Sequence, residues 1–234
     1  MLLSKEVISK NMLGYGLMSR DKLSNHSIFG PSYGTGGIDE YTKLMLHMNG
    51  ANGSTTFTDS SLSPKTVTRA GNAQISTAQY KFGGASGLFD GNGDYISIPH
   101  HTDFDFGSGD FTIDFRVYIT KTGAQRIIQK DYTSDFCPWR IGILEDGRIF
   151  FDISLNGSSW GISGNTGVAV SQNAWRHVAL IRNGSNINLC IDGTSLSSKS
   201  ITGSIFANSK QITIGEQGNG FYGYGGYIDE LRLS

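Results

Sequence analysis

The chain has 234 residues, 38% of them hydrophobic, enough for one large core or two small ones. Glycine is in excess at 32 residues, about twice its usual ~7% share, and each glycine inside a helix costs about 1 kcal/mol against alanine, which excludes a helical bundle. With 19 basic and 20 acidic residues the net charge is -1, leaving no cationic excess for sequence-independent nucleic-acid binding.

Taken in chain order, Leu2, Leu3, Val7, Ile8, Met12 and Leu13 recur at roughly helical spacing and predict a short amphipathic helix. The stretch FGPSYGTGGID (29–39) follows as a glycine-rich linker. Lys5, Glu6 and Lys10 interrupt any signal-peptide core, so no export address is expected. No run approaches the ~20 apolar residues of a membrane span, so no membrane insertion is expected either. Residues 1–38 then read either as a frayed tail or as an assembly arm, and residues 39–234 as one domain.

From Tyr41 onward the period is two. Phe111, Ile113, Phe115, Val117 and Ile119 alternate with polar residues, which on a strand places five large apolar groups on one face. Trp139, Ile141 and Ile143 repeat the pattern, turn at Asp146-Gly147, and return through Ile149, Phe151 and Ile153. A second hairpin runs through Val178 and Leu180, turns around Gly184, and returns through Ile187, Leu189 and Ile191. Shorter strands are predicted at 44–48, 66–69, 86–89, 95–99, 125–129, 211–215 and 227–233. About twelve short strands without intervening helices predict an all-β, two-sheet antiparallel sandwich. Cys137 and Cys190 form no C-x-x-C pair, which excludes a disulfide framework and a cysteine zinc site; a single bridge between them stays open.

Candidate chemistry follows from residue types. A sugar site needs aromatic faces beside hydrogen-bonding groups, and two segments supply both. One runs from Asn156 to Asn165 and sets Trp160 among turn residues; the other, 218–226, spaces Asn219, Phe221, Tyr222 and Tyr224 with glycines. The alternative is that these rings cap the ends of the sandwich. Trp139 and Trp175 begin strands and are expected to pack, with His177 on the same strand face as Trp175. Asp90, Asn92 and Asp94 have the i, i+2, i+4 spacing of a calcium loop, but positions six and twelve hold Tyr95 and His101, not Gly and Glu. The alternative there is a plain Asn-Gly turn.

Catalysis is not expected. A retaining glycosidase needs two carboxyls ~5–5.5 Å apart, yet Glu6, Glu40, Glu145, Glu216 and Glu230 are too scattered for two on one short strand. Asp103 and Asp105 read as a solvated loop. The five histidines form no H-x-x-x-H pair.

The ordered segments LMLHMNG (44–50), FTDSS (57–61), KFGGASGLFDG (81–91), DYISIP (94–99), FTIDFRVY (111–118), AWRHVALIRNG (174–184), LCIDG (189–193) and YIDELRLS (227–234) resemble the laminin-G-like family of concanavalin A-like jelly rolls. The resemblance implies a two-sheet jelly roll whose first and last strands, 43–48 and 227–233, lie side by side. It implies binding of carbohydrate or protein more often than catalysis. It also implies a calcium near strand-end aspartates, mapping onto Asp90 with Asp229 as partner.

A short non-secretory arm before such a domain resembles bacteriophage virion proteins: tail fibres, receptor-binding proteins or capsid decorations. The expectation is a non-catalytic, virion-associated module that recognises a surface glycan. Its arm would bind other virion proteins, with homo-oligomerisation compatible. The alternative is a structural decoration protein that binds no sugar.

Overall fold

The alternating run at residues 111–119 becomes a strand along which buried and half-buried side chains alternate without a break. Its β-branched and aromatic residues fill a pleated, half-buried surface. The computed structural model describes residues 38–131, 136–217 and 221–234, and Glu40–Ser234 makes one unit. The arm expected over residues 1–38 lies, except for its last residue, outside the described residues.

The strands in chain order are β1 (Leu44–Leu46), β2 (Thr68–Ala70), β3 (Gln74–Ser76), β4 (Ser86–Asp90), β5 (Tyr95–Ile98), β6 (Phe111–Ile119), β7 (Gln125–Lys130) and β8 (Trp139–Ile143). They continue as β9 (Ile149–Ile153), β10 (Ile162–Asn165), β11 (Trp175–Asn183), β12 (Asn186–Ile191), β13 (Thr194–Ser200), β14 (Ile212–Ile214) and β15 (Gly225–Leu233). One sheet runs β13-β12-β11-β6-β15-β4-β3, with β1 also paired to β15; the other runs β10-β9-β8-β7-β14-β5-β2. Every pairing is antiparallel.

The first and last strands do lie side by side. Leu44 pairs with Leu233 and Leu46 with Leu231, and the Lys43 N–H donates to the Leu233 carbonyl at 2.7 Å. Trp139, Phe89, Phe104, Phe115 and Phe151 are fully buried in a core to which both sheets contribute. Trp175 packs differently, half-buried on an outward face against Tyr118 at 5.7 Å between ring centres. His177 shares that face and approaches Asp114 at 3.4 Å.

Turn chemistry sets the hairpins. Gly147 takes φ +83 in the β8–β9 turn, where the Asp146 carboxylate accepts the Arg148 N–H. Gly184, at φ +58, starts the two-residue β11–β12 turn. Strands β3, β10 and β13 were not expected. β13 is the instructive case: Thr194–Ser200 is almost wholly exposed, so no apolar alternation marks it. Backbone pairing with β12 along one edge holds it in place. Both cysteines are free thiols.

Candidate functional site: a groove on the seven-stranded sheet

Cross-strand register decides which side chains share a face. Arg126 pairs with Gly142, Gly142 with Phe150, and Phe150 with Asn165. The neighbouring row joins Gln129, Arg140, Asp152 and Ser163. The intervening Ile141, Ile143, Ile149, Phe151 and Ile153 belong to the core, so both rows face outward.

These rows floor a groove of about 490 Å³ whose lining includes Arg126, Arg140, Phe150, Asp152, Asn165 and Tyr222. A volume of this size suits a small ligand. One wall comes from the other sheet, because Ser197 and Lys199 of β13 also line it. Gly164 permits that approach: a Cβ there would stand 2.6 Å from the Ser197 hydroxyl.

Aromatic rings and guanidinium groups alternate across the floor. The Arg126 guanidinium lies 4.7 Å from the Tyr222 ring centre and 5.1 Å from that of Phe150. The Arg140 guanidinium lies 5.5 Å from Phe150 and 4.2 Å from Trp160. Each such contact contributes roughly 0.5–2 kcal/mol, depending on desolvation. Arg140 is held further by Asp152, whose Oδ2 accepts from Nε at 2.8 Å and whose Oδ1 accepts from the Ser163 hydroxyl at 2.5 Å. Gly142 leaves room for the Phe150 ring, since a Cβ there would be 2.8 Å from its edge.

The two nominated segments therefore meet. Tyr222 and Asn165 line the same groove, and Trp160 joins it through Arg140. Tyr222 adopts φ +59, and its carbonyl accepts the Arg126 N–H at 2.7 Å, which pins the 221–224 segment to β7. The Asn165 carbonyl oxygen already accepts from Arg148 at 3.1 Å and from the Gly167 N–H at 2.9 Å. Its amide NH2 is the group left for a ligand. Phe221 is largely exposed at 64%, and Asn219 lies outside the described residues.

Tyr224 is a correction. It is fully buried against Phe89, with its hydroxyl within 3.2 Å of the Tyr118 carbonyl and 3.1 Å of the Tyr227 carbonyl. It anchors the segment and offers no face to a ligand. The sequence reading missed Arg126, Arg140, Phe150 and Asp152. A signal existed for two of them: a hairpin centred on Asp146 sets Arg140 opposite Asp152.

The residues named for calcium do not meet as one set. Asp94 is buried, with one carboxylate oxygen accepting the Asp90 N–H at 2.8 Å and the other accepting the Asn72 N–H. Burial raises its pKa above the ordinary value, backbone N–H groups opposing. The Asp90 carboxylate accepts the Asn92 N–H at 2.7 Å, so these three residues brace a turn. Asp229 lies four residues along β15 from Gly225, the strand partner of Asp90, and so about 13 Å away. Its Oδ2 instead accepts the N–H groups of Lys81 and Phe82. Among the described residues no cluster of three His, Cys, Asp or Glu side chains is arranged to hold a metal.

Comparison with known proteins agrees with this architecture. A laminin-G-type family model, described as the concanavalin A-like lectin/glucanases superfamily, matches residues 90–234. The binding domain of Paraclostridial Mosquitocidal Protein 1 aligns with a TM-score of 0.67 at 18% identity, covering 82% of this chain and 48% of that one. Botulinum neurotoxin type C, whose uptake by cells is described as dependent upon interaction with two ganglioside molecules, aligns at 0.60 and 16% identity over 84% of this chain and 48% of that one. The binding domain of botulinum neurotoxin DC, in complex with rat synaptotagmin II, aligns at 0.62 and 17% identity over 84% and 48%. This chain thus spans about half the length of these structures, and the likeness shows the fold alone. No match is found among curated proteins. The chain belongs to the concanavalin A-like lectin/glucanases superfamily.

Proposed function

We propose that this member of the superfamily is a non-catalytic carbohydrate-binding module whose ligand lies in the groove on the seven-stranded sheet. One observation carries the reading: Asn165 and Tyr222, far apart in sequence and nominated for the same chemistry, line one cavity. The half-exposed Tyr222 ring offers an apolar face for the C–H side of a pyranose. Arg126, Arg140 and the Asn165 amide supply donors for hydroxyl oxygens, and Asp152 and the Ser163 hydroxyl oxygen supply acceptors. Most of these groups sit on strands, which suits a preformed site. The two carboxylates that line the groove have separate settings, Glu145 in the β8–β9 turn and Asp152 on β9, engaged by Arg140 and Ser163.

Glycan-array binding of wild type and variants tests the proposal. We expect saturable binding that falls at least tenfold in Tyr222→Ala and in Arg126→Ala, with unchanged circular dichroism. Wild-type silence across the array favours the alternative of a module that binds only protein. A virion setting, with attachment through residues 1–38, forms part of the proposal and rests on the sequence resemblance. Deleting residues 1–38 should abolish particle incorporation and leave glycan binding intact; full incorporation would reject it.

A further inference from the structure

The groove does not end at its own floor. A second cavity, of about 370 Å³, opens at the tip of the β8–β9 hairpin and shares Ile143 and Glu145 with the groove. Its character differs. Ala169 and Val170, backed by the buried Ile119 and Ile143, give it an apolar wall, while the groove presents two guanidinium groups and Lys199.

Glu145 stands at the junction. Its Oε2 accepts the Ala124 N–H at 3.0 Å, which fixes the carboxylate on the 120–124 segment. Its Oε1 takes no hydrogen bond among the described residues. Lys121 secures the same segment, donating to the carbonyls of Gly91 at 2.8 Å and Gly223 at 3.1 Å. A held carboxylate with one oxygen open is placed to accept hydroxyl protons from whatever crosses between the cavities.

We infer that groove and second cavity form one extended site for an oligosaccharide: a first unit lies on the Arg126–Tyr222 floor, Glu145 accepts hydroxyls at the junction, and the apolar cavity takes a unit bearing a methyl group. The inference rests on the proposed carbohydrate-binding function. The methyl can belong to an N-acetyl group or to a 6-deoxy sugar, because both present the same apolar surface to Ala169 and Val170. A unit without it leaves that wall in contact with water.

The test is isothermal titration of the full chain with three series from mono- to trisaccharide: N-acetylglucosamine oligomers, rhamnose oligomers, and glucose oligomers as the methyl-free control. Affinity should rise from mono- to trisaccharide in at least one methyl-bearing series, by about fourfold or more for the burial of one methyl. The glucose series, which keeps the Glu145 contacts and lacks the methyl, should rise less, by about that same factor. Ala169→Arg, at an exposed position, should fill the second cavity and remove the increment. Glu145→Gln should weaken the trisaccharide more than the monosaccharide. Equal affinity along every series, or an increment that survives Ala169→Arg, overturns the extended site and leaves the groove reading standing. Absence of binding to every saccharide here and on the array overturns both.

Discussion

Asp229 shows how a single buried carboxyl ties pH to stability. It has no exposed surface, and its Oδ2 holds the 81–82 backbone through two N–H groups at 2.8 and 2.9 Å. Burial pushes its pKa up to about 6, with those two N–H groups pulling the other way. The unfolded value is ~3.9, so the folded chain binds the proton more tightly than the unfolded one. The contribution of Asp229 to stability therefore improves as pH falls from about 7 towards 4, and its ionised form costs stability above pH 6. Asp103 and Asp114 act in the opposite direction. Their pKa values are lowered, as contacts with Lys65 and with His177 and Arg232 outweigh burial, and that stability is lost as pH falls through the depressed values. Comparing wild type with Asp229→Asn cancels them. We expect the difference in urea midpoint between the two proteins to change between pH 4.5 and 7.5; a constant difference would refute the role given to Asp229.

Gly142 is a second decisive residue. Its missing side chain gives Phe150 the room to lie between two guanidinium groups. Gly142→Val should destabilise by about 1–3 kcal/mol through overpacking. It should also weaken saccharide binding, which chemical denaturation and titration of the same sample would measure. Neither effect was legible in the sequence, where Gly142 is one glycine among 32. Tyr224 was misplaced for a related reason: spacing by glycines looks the same whether a ring points to solvent or into the core.

Among the elements, the two hairpins were readable because alternation and turn chemistry agree. Residues 111–119, 139–143 and 149–153 coincide with β6, β8 and β9. β13 was not readable, since Thr194–Ser200 carries no buried apolar row and owes its place to backbone pairing. Yet β13 makes the groove a cavity by walling it from the other sheet. The hinge of that arrangement is Gly164, where a Cβ would meet both Ser197 and Phe151. Gly164→Val should push β13 outward and cost roughly 1–3 kcal/mol. Hydrogen exchange should then quicken in β13 while β8 and β9 remain protected. Uniform quickening would show that β13 is coupled to the rest of the sheet.

At the scale of the whole molecule, the alternation predicts two sheets enclosing one core. It does not say which outward face carries a site, because both sheets show polar residues to solvent. The groove became identifiable only once register had set Arg126, Phe150 and Asn165 in one row. The topology also has a kinetic signature. β1 pairs with β15, and β6 with β11 and β15, so much of the sheet joins segments distant in sequence. Non-local pairing of this kind sets folding in the millisecond-to-second range or slower. We expect tryptophan fluorescence and far-ultraviolet dichroism to report one coincident transition for residues 40–234. Separate transitions would mean that the two sheets do not form a single cooperative unit.

The hydrogen bond from Lys43 to Leu233 has an architectural corollary. The two extremities of the sandwich emerge within one peptide unit of each other, so a few residues of spacer could join them without strain. A circular permutant, reopened at an exposed turn such as 184–185, should refold around the same groove. The same geometry suits the domain to being spliced into a loop of an unrelated host, which would feel it as a short detour in its own backbone.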